Sequence, residues 1–156
     1  MLRQWHLIGC AVITVISLTF SLSASDNISA SDAELEFQLG SLLLQESRYE
    51  EALVAFKRAS QSPDAALVSL ARQGKIRVEL ALAEFGTAQI DAAALLRDEP
   101  SSITAQTLYA DSLWASGLFD EAEAVYVSAL ERDPESSRAR YGWARSLATK
   151  NRLHEA

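Results

Sequence analysis

Gly117-Leu-Phe-Asp-Glu-Ala-Glu-Ala-Val-Tyr126 is the stretch that decides the fold. A glycine turn leads into a bulky residue, Phe119, three places before a small one, Ala122, and an aromatic follows four places later. The bulky-to-alanine step returns as Tyr49-Glu-Glu-Ala52, Phe85-Gly-Thr-Ala88 and Leu153-His-Glu-Ala156. The four alanines are spaced by 36, 34 and 34 residues. Self-similarity at that period marks an array of stacked helical repeats rather than a single globular core. An array offers a surface, so the question becomes what the chain holds.

Working outward, helix, turn and helix alternate from Ser31 onward, with the 3.6-residue period visible in most segments. Ser31 and Glu34 predict a capping box at the start of the first helix. That helix carries Leu35, Leu39, Leu42 and Leu43 and should stop near Glu46-Ser47. A second helix, from about Tyr49 to Ser60, places Ala52, Leu53, Phe56 and Ala59 on one stripe, and Ser62-Pro63 closes the pair because proline is excluded from helix interiors. Leu67, Leu70, Ala71, Gly74, Val78, Ala81 and Leu82 predict one long helix, and its partner runs from Phe85 to Arg97 before Pro100. The two extra residues of this unit imply a longer first helix or a slack turn. The third pair carries Leu108, Tyr109 and Leu113, then Ala122, Tyr126 and Ala129, then Asp133-Pro134. A fourth first-helix holds Tyr141, Trp143, Ala144 and Leu147, and the next helix has barely begun at Ala156.

These units resemble the tetratricopeptide repeat (TPR), with its outline W-x2-L-G-x2-Y, A-x3-F and P. Leu39-Gly40-x2-Leu43, Ala52-x3-Phe56 and Pro63 match in the first unit, with the proline one place early. Tyr109-Ala110-x2-Leu113, Ala122-x3-Tyr126 and Pro134 match in the third, and Trp143-Ala144-x2-Leu147 with Ala156 begins a fourth. The second unit keeps Phe85, Ala88 and Pro100 without a clear L-G step, and Glu36, Gln106 and Arg140 stand where the family has tryptophan. The resemblance implies an all-α superhelix of about three and a half helix-turn-helix repeats over residues 32–156, with units near 33–66, 67–102, 103–136 and an incomplete 137–156. The small residues fit that packing: Gly40, Ala110 and Ala144 are expected where the helices of a pair cross, and Ala52, Ala122 and Ala156 where the next helix approaches.

The whole chain agrees. Its 156 residues are 49% hydrophobic and 22% charged, which argues against disorder, and only 6 glycines and 3 prolines favour helix throughout. A net charge of −7 without a basic stripe makes a poor nucleic-acid binder, since phosphates would go unneutralised. The first residues are a different material. Met1-Leu2-Arg3, an apolar run from Leu7 to Phe20 and the small residues Ser21-Leu-Ser-Ala24-Ser25 have the layout of a secretory signal peptide cut after Ala24 or Ser25. The alternative for residues 1–25 is an uncleaved membrane anchor over residues 5–22, weakened by Thr14, Ser17 and Thr19. Residues 26–31 form a linker in either case. Both readings predict a periplasmic or exported protein, or one held at the inner membrane facing the periplasm. Cys10, the only cysteine, lies in that run, and Leu7-Ile-Gly-Cys10 is similar to a lipoprotein signal, although most of the apolar stretch follows it. A chain cut beyond Phe20 has no cysteine and must be held by packing alone.

In the TPR family the first helices of successive repeats line a concave groove that holds peptides or extended protein segments. Carried over, this implies Glu34, Phe37, Ser41 and Leu44 from the first unit, Arg77 from the second, Thr107, Asp111 and Trp114 from the third, and Arg138, Tyr141 and Arg145 from the fourth. Arginine and aromatic side chains are common interface anchors. Arg138, Tyr141 and Arg145 share one helix face, able to grip a carboxylate or simply to stay solvated; Trp114 can face the groove or pack on the turn after it. Residues 26–56 hold seven acidic side chains and one basic, whereas 138–152 hold five basic and none acidic, which allows head-to-tail self-association sensitive to salt.

Catalytic patterns are missing. His6 and His154 are the only histidines and sit at opposite ends, and no nucleophile elbow, dinucleotide fingerprint or phosphate loop occurs. The expectation is a non-enzymatic scaffold or adaptor without metal or cofactor, binding a protein or peptide partner in the cell envelope. The alternative is the recruiting arm of a longer envelope enzyme or assembly factor, since the fourth unit is unfinished and arrays normally end in a polar capping helix.

Overall fold

A computed structural model describes residues 28–149. The expected signal or anchor segment with Cys10, Asp26 and Asn27 of the linker, and Lys150 to Ala156 lie outside the described residues. Seven helices follow one another: α1 (Ala30–Gln45), α2 (Tyr49–Ala59), α3 (Ala65–Ala81), α4 (Phe85–Asp98), α5 (Ile103–Ala115), α6 (Phe119–Arg132) and α7 (Ser137–Thr149). No strand occurs among the described residues. No helix among them is long and apolar enough to cross a membrane.

Each pair turns on the same device. Ser47, Ala83 and Gly117 follow α1, α3 and α5 with φ of 60°, 60° and 81°, the left-handed region. The residue after each donates its N–H back five places: Arg48 to the Leu43 carbonyl, Glu84 to that of Glu79 and Leu118 to that of Leu113, each at 2.9 Å. This closes the orphan carbonyls of a helix end as a Schellman turn does. The next helix starts directly from the turn, so α2, α4 and α6 have no side-chain cap. The helices that open a repeat are capped instead, α3 by Asp64 accepting from Ala66 N–H and α5 by Ser102 accepting from Ala105 N–H.

The cap of α1 corrects the sequence reading. Ser29, not Ser31, sits in extended backbone and accepts from Asp32 N–H, so the helix starts at Ala30, within the expected linker. Ser29 Oγ also donates to the Asp32 carboxylate at 2.7 Å. An aspartate three places on can reciprocate as well as the expected glutamate does, and it moves the start back. The irregular second unit is explained by α3, which has 17 residues where α5 and α7 have 13.

Packing between repeats rests on aromatic rings set against glycines. Phe56 of α2 is buried between α1 and α3. A Cβ added to Gly74 would lie 2.4 Å from its ring, and one added to Gly40 would lie 3.0 Å from it. Tyr126 of α6 repeats the arrangement against Gly142 of α7, where a Cβ would lie 2.3 Å away. The expected small residues Ala52, Ala110 and Ala122 are fully buried. Ala144 is only partly buried, and Gly142 takes the close approach instead. Two of the three positions that lack the family tryptophan carry polar clasps to the closing helix: Glu36 with Arg58 at 3.1 Å, and Gln106 accepting from Arg132 at 2.9 Å. Arg72 of α3 does the same with Asp98 at 2.9 Å. Such half-exposed pairs contribute about 0–1 kcal/mol each, so they fix register more than they stabilise.

Curvature follows from which helices touch. α1, α3, α5 and α7 approach one another in succession, whereas α2, α4 and α6 do not. The chain therefore bends with its odd helices inside, presenting a concave face. One expectation fails on the first of them. Leu35, Leu39 and Leu42 are 60%, 46% and 52% exposed, and only Leu43 of that set reaches the core. Among the described residues α1 has neighbours in α2 and α3 alone, and none of the described helices lies over its opposite face.

Candidate functional site

The concave face holds a groove of about 560 Å³ contributed by α1, α3, α5 and α7, with the start of α4. Leu44, Arg77, Asp111, Trp114, Arg138, Tyr141 and Arg145 line it, so seven side chains expected from separate units converge. Leu80, Ala81, Phe85 and Ala115 complete the wall. The helical spacing from Arg77 to Leu80 and Ala81 was a signal for two of these, because residues three and four apart share a face.

Four expected residues do not line it. Phe37 is turned into the first repeat and packs on Phe56 with ring centroids 5.9 Å apart. Thr107 is buried and donates to the Thr104 carbonyl. Ser41 donates to the Phe37 carbonyl, and Glu34 accepts from Gln38 on the exposed side of α1. Three of them lie on α1, the first described helix of the bend: packing in the first repeat takes up Phe37, Glu34 stays on the exposed side, and only Leu44 of the expected α1 residues reaches the groove.

Asp111 organises the groove floor. The carboxylate accepts from Tyr126 Oη at 2.5 Å, from Arg138 Nε at 2.9 Å and from Arg145 at 3.2 Å. Arg138 adds a second contact through a terminal nitrogen at 2.5 Å. Arg145 also donates to Tyr126 Oη at 3.2 Å. Its guanidinium lies 3.7 Å from the Trp114 ring centroid, a cation–π stack. Trp114 meets Phe119 edge-on at 5.7 Å as well, so it both packs on the turn and lines the groove. Burial, the charge on Asp111 and the hydrogen bond to it together hold the Tyr126 phenol well above its ordinary range, so it stays a donor.

Arg77 is the exception. Among the described residues it forms no ion pair, although it is partly buried. Burial and then the neighbouring Arg138 charge lower its pKa, and Asp111 offsets this only in part. Three guanidinium groups thus face one carboxylate, between apolar walls.

A second polar cluster lies on the α3–α4 seam. Glu79 is 1% exposed, and Lys75 contacts both its carboxylate, at 3.3 Å, and that of Asp91. Burial, with the Asp91 charge added, pushes the Glu79 carboxyl up to about 7 against the pull of Lys75. Among the described residues no group of histidines, cysteines and carboxylates could hold a metal ion.

Comparison with known proteins places this geometry. Residues 107–156 match the family model described as Tetratricopeptide repeat. The first TPR domain of human RPAP3 superposes with a TM-score of 0.66 at 18% identity, covering 78% of this chain and 97% of that one. The first TPR of Spaghetti (RPAP3) bound to the HSP90 peptide SRMEEVD gives 0.67 at 15% identity, over 80% and 98%. The second TPR domain of human RPAP3, in complex with the HSP70 peptide SGPTIEEVD, gives 0.63 at 17% identity, over 74% and 95%. At these identities the likeness is one of fold. No curated protein sequence matches the chain.

Proposed function

We propose that this chain is a non-catalytic binding scaffold whose concave groove holds an extended segment of a protein partner, and that it works in the cell envelope. The observation that supports the first part most is the convergence of Arg77, Arg138, Arg145, Trp114 and Tyr141, drawn from three helices, on one concave surface. Rigid aromatic and arginine side chains in a concavity are what a peptide anchor needs. Two of the structures that share the fold hold short peptides, named as HSP90 and HSP70 peptides, which shows that this architecture can do so. The envelope assignment rests on the sequence of residues 1–25 alone.

Tyr141 in the groove and Ile90 on α4 outside it are almost equally exposed, at 69% and 71%. Peptides selected from a random library on the full chain should lose affinity with Tyr141→Ala and keep it with Ile90→Ala. Equal effects of the two substitutions would refute the groove as the binding surface. Recovery of the chain from the cytosol with its first residues intact would remove the envelope assignment.

A further inference from the structure

Resting on the peptide-groove reading, we propose that the groove reads a single side-chain carboxylate within an acidic peptide, that Arg77 binds it with Arg138 beside it, and that Arg145 is a positioning residue only. The three arginines are not equivalent. Arg145 donates to both Asp111 and Tyr126, lies flat on Trp114, and has its Nε buried without a partner. It is embedded in the floor. Arg138 commits Nε and one terminal nitrogen to Asp111, which leaves the other terminal nitrogen, on a side chain that is 44% exposed. Arg77 forms no ion pair among the described residues.

Charge sets the capacity. Three cations against Asp111 leave an excess of two positive charges, held close enough that Arg138 disfavours the charge on Arg77. Arg77 is a partly buried cation with no ion pair among the described residues, and Asp111 offsets its lost hydration only in part, so one carboxylate reaching it recovers the deficit. Asp111 already satisfies the inner edge of Arg138, and room for a second ligand carboxylate on Arg145 is taken by Asp111 and Trp114.

Position decides the source of that carboxylate. Arg77 lies on α3, with Leu44 of α1 on one side in the order of the bend and Trp114 and Tyr141 of α5 and α7 on the other. Apolar surface therefore continues in both directions from the charge. A peptide laid along it passes through, which suits an internal glutamate or aspartate flanked by apolar residues rather than a chain terminus.

The test uses the full chain and the blocked peptide acetyl-Ala-Leu-Phe-Glu-Leu-Phe-Ala-amide, in which the glutamate is the only charge. At low salt it should bind about tenfold more tightly than the same peptide with glutamine, the size of one charge-assisted pair. Arg77→Gln should abolish that preference while leaving the glutamine peptide unchanged, whereas Arg145→Gln should weaken both peptides together. A preference that survives Arg77→Gln overturns the inference, as does one lost only in Arg145→Gln. A glutamine peptide with a free C-terminal carboxylate that binds as tightly as the blocked glutamate peptide overturns the choice of a side-chain source. If neither peptide shifts the resonances of groove residues, the peptide-groove reading itself fails, a result distinct from equal binding of the two.

Discussion

Alanine at Gly74 and alanine at Gly40 meet the same ring and should have different outcomes. A Cβ on Gly74 would lie 2.4, 2.5 and 2.8 Å from three atoms of the Phe56 ring, where ordinary carbon contacts are about 3.5–4.0 Å. The ring must move by roughly 1 Å to restore such a contact. Its retreat leads toward α1, where Gly40 already sits behind it, so α2 and α3 must separate instead. Overpacking of this kind costs about 1–3 kcal/mol, and the upper end applies because a helix rather than a flexible tip must give way. Replacing glycine by alanine inside a helix returns about 1 kcal/mol. The net expectation for Gly74→Ala is a loss of about 2 kcal/mol, roughly 8 °C in Tm for a domain of this size. At Gly40 the contacts would be 3.0 to 3.1 Å, which a few tenths of an ångström relieve. There the gain in helix propensity offsets a cost of about 1 kcal/mol, and stability should be unchanged. Denaturant unfolding followed by helical circular dichroism measures both. A Gly74→Ala variant as stable as the parent, or a Gly40→Ala variant that loses more than Gly74→Ala, would refute this account of how the first two repeats meet.

Further outcomes follow from the turns, the seam and the core. Ala83 holds φ of 60°, the place where Gly117 serves the next repeat, so Ala83→Gly should stabilise the chain by about 1 kcal/mol in the same unfolding assay. Ala122 is fully buried, and Ala122→Leu should cost about 1–3 kcal/mol through overpacking; an unchanged Tm would contradict the packing assigned to it. The Glu79 carboxyl is raised from 4.5 to about 7, so the native state binds its proton more tightly than the unfolded state does. That contribution is fully present below 4.5 and is lost as pH rises through about 7. Glu79→Gln should therefore raise Tm relative to the parent at pH above 7 and lose most of that advantage below pH 5, a comparison that cancels the other titrating groups.

The helices were legible because their signals are local. A bulky residue three places before an alanine, a glycine turn and a proline are read from a few neighbouring residues, and six of the seven helix starts fall within three residues of such marks. What the sequence hides is which helix covers which face. Leu35, Leu39 and Leu42 look like core residues by spacing, yet no described helix lies over them. α5 shows the reverse. It is flanked by α3, α4, α6 and α7, so residues all round it are buried, Gln106, Thr107 and Ser112 included, and its amphipathic pattern is blurred. The groove was legible from α3 onward, where Arg77, Asp111, Trp114, Arg138, Tyr141 and Arg145 line it as expected and Thr107 alone is buried instead. Asp111 was placed correctly, but its role as shared acceptor for Tyr126, Arg138 and Arg145 was not, because those residues lie 15, 27 and 34 positions away.

Tyr126 belongs to both halves of the molecule. Its ring fills the space that Gly142 leaves between α6 and α7, and its hydroxyl emerges at the groove floor to hold Asp111. The binding surface and the hydrophobic interior are therefore tethered through one side chain. Mutational drift that loosens the α6–α7 contact would disturb the arginine geometry without touching a groove residue. A search for variants with altered partner choice should accordingly include the interior around Tyr126, where small shifts in helix spacing are converted into the aim of the arginines.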